Sequence, residues 1–245
     1  MTHKTRGIVL RSIKYGETSL VVWIFTEQFG IQSYMVNGVR TSKAASAKAV
    51  FFQPAAQLDM VVYHKESASM QRIKEFSWAF LYRELLNQVI KNSIASFMVE
   101  LLQKCLKQPE ANNDLFNFFE DALQQLDTAS KVVTANYPLF IALHLPHFFG
   151  FRMTDNFSEK NNILDLREGV FTNEQPIHPH FIEGENARLS SRLLRVMHPQ
   201  ELDSFAMNRE GRRQLLMRYM DYYSLHIADF GQMKTLMVLH EVLGH

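Results

Sequence analysis

The sequence predicts an α+β chain in two parts, a small five-stranded β-barrel followed by a helical domain with an irregular insertion. Three observations support this division. Five short strand-like segments fill about the first 76 residues with no helical pattern between them. From Ser77 onward the apolar residues recur at helical spacing. The net charge is +5 over residues 1–75 and −4 over the remainder. The predicted domains are therefore residues 1–76 and 77–245.

The first two strands are predicted to form a hairpin. GIVLRSIK, residues 7–14, mixes β-branched with polar side chains, as a half-buried strand does. Gly16 in the following YGET can adopt the positive φ that a tight turn needs. The next run, SLVVWIFT, is almost continuously apolar, which indicates a strand that is covered on both faces. Trp23 in this run is accordingly expected in the core.

Three further strands are predicted to complete the barrel. IQSYMVNGV alternates in character until Asn-Gly interrupts it, and RTSKAASAK then forms a small basic loop. LDMVVYHK and MQRIKEF follow as strands four and five around the polar bend ESAS. We expect Tyr34 and Tyr63 on the exposed face of the sheet. Because no helical pattern intervenes, the five strands predict a small closed or partly open barrel.

The second part of the chain reads as helices around one irregular insertion. Leu81, Leu85 and Val89 begin a series of apolar residues at spacings of four and eight, which predicts a helix from Ser77 that ends before Pro109. NDLFNFFEDALQQLD and the nearly all-apolar VVTANYPLFIALHLPHFFG predict two more. Residues 152–186 lose this periodicity and contain one short hairpin, ILDLREGVFT. Helices resume at ARLSSRLLRVM and continue to the end of the sequence.

No motif predicts catalysis, a cofactor or a resident metal. Cys105 is the single cysteine and lies in an apolar helical pattern, so we expect a buried thiol. His240 and His245 in HEVLGH are five residues apart, about 140° around a helix, and cannot share a zinc ion as residues four apart do. His178 and His180 lie in the insertion without an obvious third ligand and are expected at the surface.

Composition and patterning also exclude two classes of protein. The sequence has no basic-then-apolar leader with a small-residue cleavage site, and it has no run of about 18 apolar residues. Neither export nor a transmembrane helix is therefore expected. With 245 residues, of which 47% are hydrophobic, the chain can bury a substantial core. We expect a cytosolic protein.

The charge asymmetry predicts a surface that binds nucleic acid. Ten Lys or Arg and five Asp or Glu lie in residues 1–75, and small barrels bind single strands when cations hold phosphates and rings stack on bases. The candidate contacts are Arg11, Lys14, Tyr15, Arg40, Lys43 and Lys48. The same surface would suit an RNA-binding or translation-associated protein. A pure interaction scaffold with an incidental charge is the other alternative.

The opening of the chain resembles the RecO family of bacterial recombination mediators. GIVLRSIKYGETSLVVWIFTEQFG, then NGVR and a basic loop, is similar to the start of that family's barrel, and LHIADFGQMKTLMVLHEVL resembles its last helices. The resemblance implies an oligonucleotide/oligosaccharide-binding (OB) barrel and a helical domain. It also implies work in the RecF pathway at the bacterial nucleoid, which means binding single- and double-stranded DNA and annealing complementary strands.

The resemblance implies protein partners as well. They are RecR, which helps to load RecA onto DNA coated by single-stranded-DNA-binding protein, together with RecF. Many RecO proteins carry a four-cysteine zinc module in the second half, whereas this chain has the Cys-free TDNFSEKNNILDLREGVFTNEQPIHPH there. We therefore expect the insertion to keep its shape by packing, without a metal. The alternative is that its histidines have partly replaced the metal.

The helical half is where the resemblance implies docking of the acidic, aromatic C-terminal tail of single-stranded-DNA-binding protein. Such a tail needs an apolar pocket rimmed by cations, because guanidinium groups bind carboxylates through paired hydrogen bonds. The candidate residues are Arg209, Arg212, Arg213 and Leu216, which share a helical face. The alternative is an ordinary solvated helix start with core residues beneath it.

Overall fold

The protein is described by a computed structural model for residues 1–39 and 48–243. Its internal contacts divide the chain into two compact units. The first contains Met1–Asn87 and Leu106–Asp127, and the second contains Gln88–Cys105 and the described residues from Thr128 onward. The domain boundary predicted after residue 76 stays a prediction.

Five strands form a closed barrel in the first unit, which confirms the predicted fold class. They are β1 (Thr2–Tyr15), β2 (Ser19–Thr26), β3 (Gly30–Val36), β4 (Gln57–Tyr63) and β5 (Gln71–Trp78). The order around the barrel is β1-β2-β3-β5-β4, in which β3 and β5 run parallel and the other neighbours antiparallel. A five-stranded barrel of this kind is the architecture of the OB fold.

A bulge in β1 decides which side chains face outward. The register with β2 shifts between Val9 and Arg11, so Ile8, Val9 and Leu10 are all buried in succession. Beyond the bulge Arg11 pairs with Trp23, and this pair lies on the outer face. The expectation that Trp23 belongs to the core is therefore wrong. Its neighbours on either side in β2 fill the core instead.

Tyr34 is fully buried in the barrel, and the expectation that it lies on the exposed face is wrong. It alternates with Met35 along β3, so Tyr34 and Val36 face inward while Met35 is only partly buried. Burial without a hydrogen-bond partner for its hydroxyl raises the pKa of Tyr34 well above its usual range. Tyr63 is 44% exposed, as expected.

The turn between β2 and β3 is packed closely by a later segment of the same unit. Gly30 has a φ of 61° and begins β3. A Cβ atom at this position would lie 2.0 Å from the carbonyl oxygen of Pro109 and 2.4 Å from that of Glu110. Glycine is therefore required here by both the backbone conformation and the close approach of another backbone.

The segment that follows the barrel corrects the prediction of a helix from Ser77. Strand β5 continues to Trp78, no helix occurs between Trp78 and Val89, and Leu81 is 71% exposed. The buried carboxylate of Asp127 accepts hydrogen bonds from three consecutive backbone N–H groups at 2.7–2.9 Å, those of Arg83, Glu84 and Leu85. This long-range contact holds the segment in a non-helical turn that its apolar spacing does not reveal.

Six α-helices of nine or more residues lie in the described part of the chain. They are α1 (Val89–Cys105), α2 (Asn113–Thr128), α3 (Lys131–His144), α4 (Gly184–Leu194), α5 (Arg209–His226) and α6 (Lys234–Val242). Short 3-10 segments occur at Val50–Phe52, Leu145–Phe149 and Pro199–Ser204. Cys105 is buried at the end of α1, as predicted. No helix in the described residues is long and apolar enough to cross a membrane.

The insertion contains a three-stranded sheet in which the first strand along the chain lies between the second and the third. The strands are β6 (Ile163–Asp165), β7 (Val170–Thr172) and β8 (Phe181–Ile182), so the predicted hairpin is confirmed and β8 is an addition to it. His178 Nε2 lies 3.4 Å from an oxygen of Asp165, and Arg218 donates to the carbonyls of Pro179 and Phe181. Within residues 1–39 and 48–243, no group of three or more His, Cys, Asp or Glu could hold a metal ion.

Candidate nucleic-acid interface and partner pocket

The outer face of β1, β2 and β3 carries a cation stacked on an aromatic ring. Arg11 pairs with Trp23 across β1 and β2, and Trp23 pairs with Ser33 across β2 and β3. Paired residues share a face of the sheet, so the three side chains form one row. The Arg11 guanidinium carbon lies 4.4 Å from the centroid of the Trp23 ring. A guanidinium that is stacked on a ring keeps the N–H groups at its edge free to donate hydrogen bonds to a phosphate.

A second row adds a cation that sequence reasoning missed. Ile13 pairs with Val21, Val21 with Met35, and Met35 with Arg72 of β5. Arg72 is exposed, and across β4 and β5 it pairs with Tyr63. The parallel pairing that closes the barrel brings Arg72 onto this face, and no local sequence signal predicts that pairing. We refer to the two rows, together with Tyr15, as the barrel face.

The remaining sequence-predicted contacts do not all lie on the face that carries Arg11. Tyr15 is 57% exposed and lies four residues beyond Arg11, on the same face of β1. Lys14 is exposed but pairs with Leu20, so it projects from the opposite face of the strand. Lys48 is exposed just before Val50–Phe52. Arg40 and Lys43 lie outside the described residues.

A cleft of about 750 Å³ on β1, β4 and β5 has a different electrostatic character. Two cations and three carboxylates line it, namely Lys4, Arg6, Glu27, Asp59 and Glu75. Arg6 bonds Glu27 at 2.7 Å and also bonds Glu120 and Asn117. The bond from Arg6 lowers the pKa of Glu27, whereas burial raises the pKa of Glu120 despite the same arginine. Because Arg6 is committed to carboxylates, this side of the barrel is poorly suited to phosphate.

The second unit contains a narrow cavity that we call the partner pocket. Its apolar floor comes from α3, α5 and the end of α6, and cationic side chains of α5 form its rim. The lining residues are Ala135, Pro138, Leu139, Arg209, Arg212, Arg213, Leu216, His240 and Leu243. All four residues predicted from the sequence therefore lie together, beside an apolar surface. The contributions of α3 and α6 were not predicted, because neither helix is close to the arginines in the sequence. Helix α3 lies about 70 residues before α5, and α6 follows α5 as a separate helix.

The three arginines at the rim of the partner pocket differ in their contacts. Arg213 bonds Glu210 at 3.0 Å, which lowers the pKa of that carboxyl. Arg209 donates to the backbone oxygen of His240 at 3.5 Å. Arg212 donates to the backbone oxygen of Met207 and makes no salt bridge within the described residues. Burial lowers the pKa of Arg212, so this guanidinium is the one whose environment most favours an incoming carboxylate.

Comparisons with known proteins cover nearly the whole chain. Residues 1–82 match the family model described as Recombination protein O N terminal, and residues 86–235 match Recombination protein O C terminal. Similar curated proteins include DNA repair protein RecO of Azobacteroides pseudotrichonymphae, 31% identical over 242 residues and 99% of each chain. DNA repair protein RecO of Bacteroides fragilis is 32% identical over 243 residues, again 99% of each chain. That of Phocaeicola vulgatus is 31% identical over 244 residues and 100% of each chain.

Proposed function

The chain belongs to the RecO family of DNA repair proteins, and from this premise we propose that it is a non-enzymatic recombination mediator of the RecF pathway. It binds single- and double-stranded DNA, anneals complementary strands, and assists RecR in loading RecA onto DNA coated by single-stranded-DNA-binding protein. RecF is a further partner. The protein does this work in the bacterial cytoplasm, at the nucleoid when active.

The observation that carries the DNA-binding proposal is the stacked pair of Arg11 and Trp23 on the barrel face. Cations bind phosphates of any sequence, and an aromatic ring can stack on any base because every base has a π-face. A mediator of repair must act on whichever strand is damaged, and this combination provides sequence-independent binding. On the barrel face the phosphate contacts are Arg11 and Arg72, with Tyr15 as a second ring. Lys14 projects from the opposite face of β1 and is not one of them. Arg40, Lys43 and Lys48 are further phosphate contacts that we propose from the sequence.

The salt dependence of binding tests this interface. Each phosphate contact on a single strand contributes about 0.7 to the slope of log affinity against log salt concentration. Replacing Arg11 and Arg72 together by Ala should reduce that slope by about 1.4. Lys4→Ala is the matched control, because Lys4 is an exposed cation of the same barrel in the acidic cleft. An unchanged slope in the double variant, or an equal loss in the control, would place the DNA elsewhere.

Two assays separate this function from its alternatives. Annealing of complementary oligonucleotides coated with single-stranded-DNA-binding protein is expected of a mediator and not of a scaffold. Competition between single-stranded DNA and RNA at fixed salt distinguishes a DNA mediator from an RNA-binding barrel protein. Preference for RNA without annealing of coated strands would favour the translation-associated alternative.

The partner pocket extends the proposal to single-stranded-DNA-binding protein. Its acidic tail ends in an aromatic ring and a carboxylate, and the apolar residues around the pocket, whose volume is about 30 Å³, provide a surface against which the ring can pack. Arg212 is partly buried beside that floor and can bind the carboxylate with two parallel hydrogen bonds. Arg209, Arg213 and Leu216 complete the site. Docking of this tail would bring the mediator to coated DNA.

A further inference from the structure

His240 lies in the partner pocket with a ring nitrogen to which no described residue is hydrogen-bonded. It is carried by α6 and lines the cavity together with the arginines of α5. Its Nε2 atom is buried and makes no hydrogen bond within the described residues. A buried polar atom without a partner costs free energy, and such atoms in native proteins call for an explanation. A ligand in the pocket would provide one.

Charged groups reach His240 mainly from α5. That helix contributes Arg209, Glu210, Arg212 and Arg213. Helix α3 contributes only the apolar Ala135, Pro138 and Leu139 to the cavity. Helix α1 packs against α6, but its Glu100 binds the backbone of Lys234 and Thr235 at the opposite end of α6, and its Lys104 binds the oxygen of Phe230. Glu241 is the neighbouring carboxyl on α6 itself.

This setting favours a neutral imidazole while the pocket is empty. Burial lowers the pKa of His240 from its ordinary value, and the positive charges of Arg213 and Arg209 lower it further. Glu210 raises it, but that carboxylate is already bound to Arg213 and Gln214. A carboxylate that enters the pocket would offset the charges of Arg213 and Arg209, so these arginines would no longer lower the pKa of His240. The pKa of His240 would then rise.

We propose that His240 is a carboxylate-recognising residue of the partner pocket, which takes up a proton when an acidic tail binds and donates a hydrogen bond from Nε2 to that tail. The inference rests on the proposed docking of the tail in this pocket. Histidine suits the role because its charge changes near neutral pH, whereas an arginine stays charged throughout. His240 would thereby favour ligands that end in a carboxylate over ligands of the same shape without one.

The direction of the pH dependence follows from linkage. Tail binding raises the pKa of His240, so the bound state holds more protons than the free state. Affinity for the tail therefore increases as the pH falls through the bound-state pKa, and it levels off below the free-state pKa. Carboxyl groups of the tail titrate at about pH 4, so they do not contribute to the change in affinity between about pH 6 and about pH 8.

The test is titration calorimetry with the full chain and a synthetic acidic peptide that ends in phenylalanine with a free carboxylate. Heats are measured in buffers of different ionisation enthalpy, because their dependence on that enthalpy counts the protons taken up. The wild type should take up a substantial fraction of one proton and bind about 3- to 10-fold more tightly at about pH 6 than at about pH 8. His240→Gln, which keeps a hydrogen-bonding side chain but does not titrate, should take up none.

His147→Gln is the matched control, because His147 is an exposed histidine that does not line the pocket. It should behave as the wild type does. Binding without proton uptake, or equal uptake by His240→Gln, would overturn the role of His240 and leave tail docking intact. Absence of peptide binding at every pH would overturn tail docking and this inference with it. Unchanged helical circular dichroism and an unchanged melting temperature of His240→Gln confirm that the helical unit of the variant is folded.

Discussion

The barrel face and the partner pocket both present arginines, but they do so in different surroundings. Arg11 and Arg72 are exposed on strands, and Arg11 is supported by one aromatic ring. Arg212 is partly buried over an apolar floor. Exposed cations make individually weak contacts that salt screens, whereas a desolvated guanidinium makes fewer and stronger ones. The first arrangement suits a long, uniform polyanion, and the second suits a short tail with one terminal carboxylate.

The comparison also shows that counting charges does not locate a site. Arg6 and Arg11 lie on the same strand, yet Arg6 is bound to Glu27 and Glu120 while Arg11 stacks on Trp23. In the helical unit, Arg213 is paired with Glu210 whereas Arg212 is paired with a backbone oxygen. The availability of a cation is set by its neighbours. The following experiments test that contrast.

The largest effect is expected in the partner pocket. Replacing Arg212 and Arg213 by Ala should weaken binding of an acidic tail peptide about 30-fold, because a charge-assisted hydrogen bond contributes about 2 kcal/mol. Binding of naked DNA should remain nearly unchanged. Titration calorimetry with the peptide and a DNA shift assay provide the two measurements.

Arg218→Ala is the matched control for the pocket variant, since Arg218 lies on the same helix but contacts Asp221 and the insertion. It should bind the peptide as the wild type does. Equal affinity of the wild type and the double variant for the peptide would show that the tail does not bind at the partner pocket. If the double variant lost DNA binding as much as peptide binding, the partner pocket would not be specific for the tail.

A smaller effect is expected on the barrel face. Trp23→Ala should weaken binding of single-stranded DNA about tenfold, because one base stacked on an aromatic ring contributes about 1–3 kcal/mol. Trp23→Phe should retain most of the affinity, since it keeps a ring for Arg11 and for a base. Fluorescence anisotropy of a labelled oligonucleotide measures both variants. If Ala and Phe variants bind alike, stacking on this residue does not contribute.

No effect is expected from removal of metal. The insertion is held by the contact of His178 with Asp165 and by the hydrogen bonds of Arg218, so chelators should leave its thermal unfolding unchanged. Elemental analysis of tag-free protein should find no stoichiometric zinc. Stoichiometric zinc that is lost when His178 and His180 are replaced by Ala would contradict the prediction of a metal-free insertion.

Local patterns identified most elements but not their limits. The five strands, the buried α3 with its internal Pro138 and the hairpin in the insertion follow from alternation, helical periodicity and turn residues. The start of α1 was placed too early, because Asp127 holds the backbone of residues 83–85 in a turn. A carboxylate more than 40 residues away leaves no mark on the local pattern.

The sequence by itself determined the order of strands and helices, the basic character of the first part and the cluster of arginines on α5, because these depend on residues close together in the chain. The tertiary structure decided which of those residues face outward and which meet. The bulge in β1 turned Arg11 outward to meet Trp23 of β2, and barrel closure brought Arg72 onto the same face. Packing of α3 and α6 placed Pro138 and His240 around the arginines of α5. Register and packing are set by contacts between distant segments, which a linear pattern does not contain.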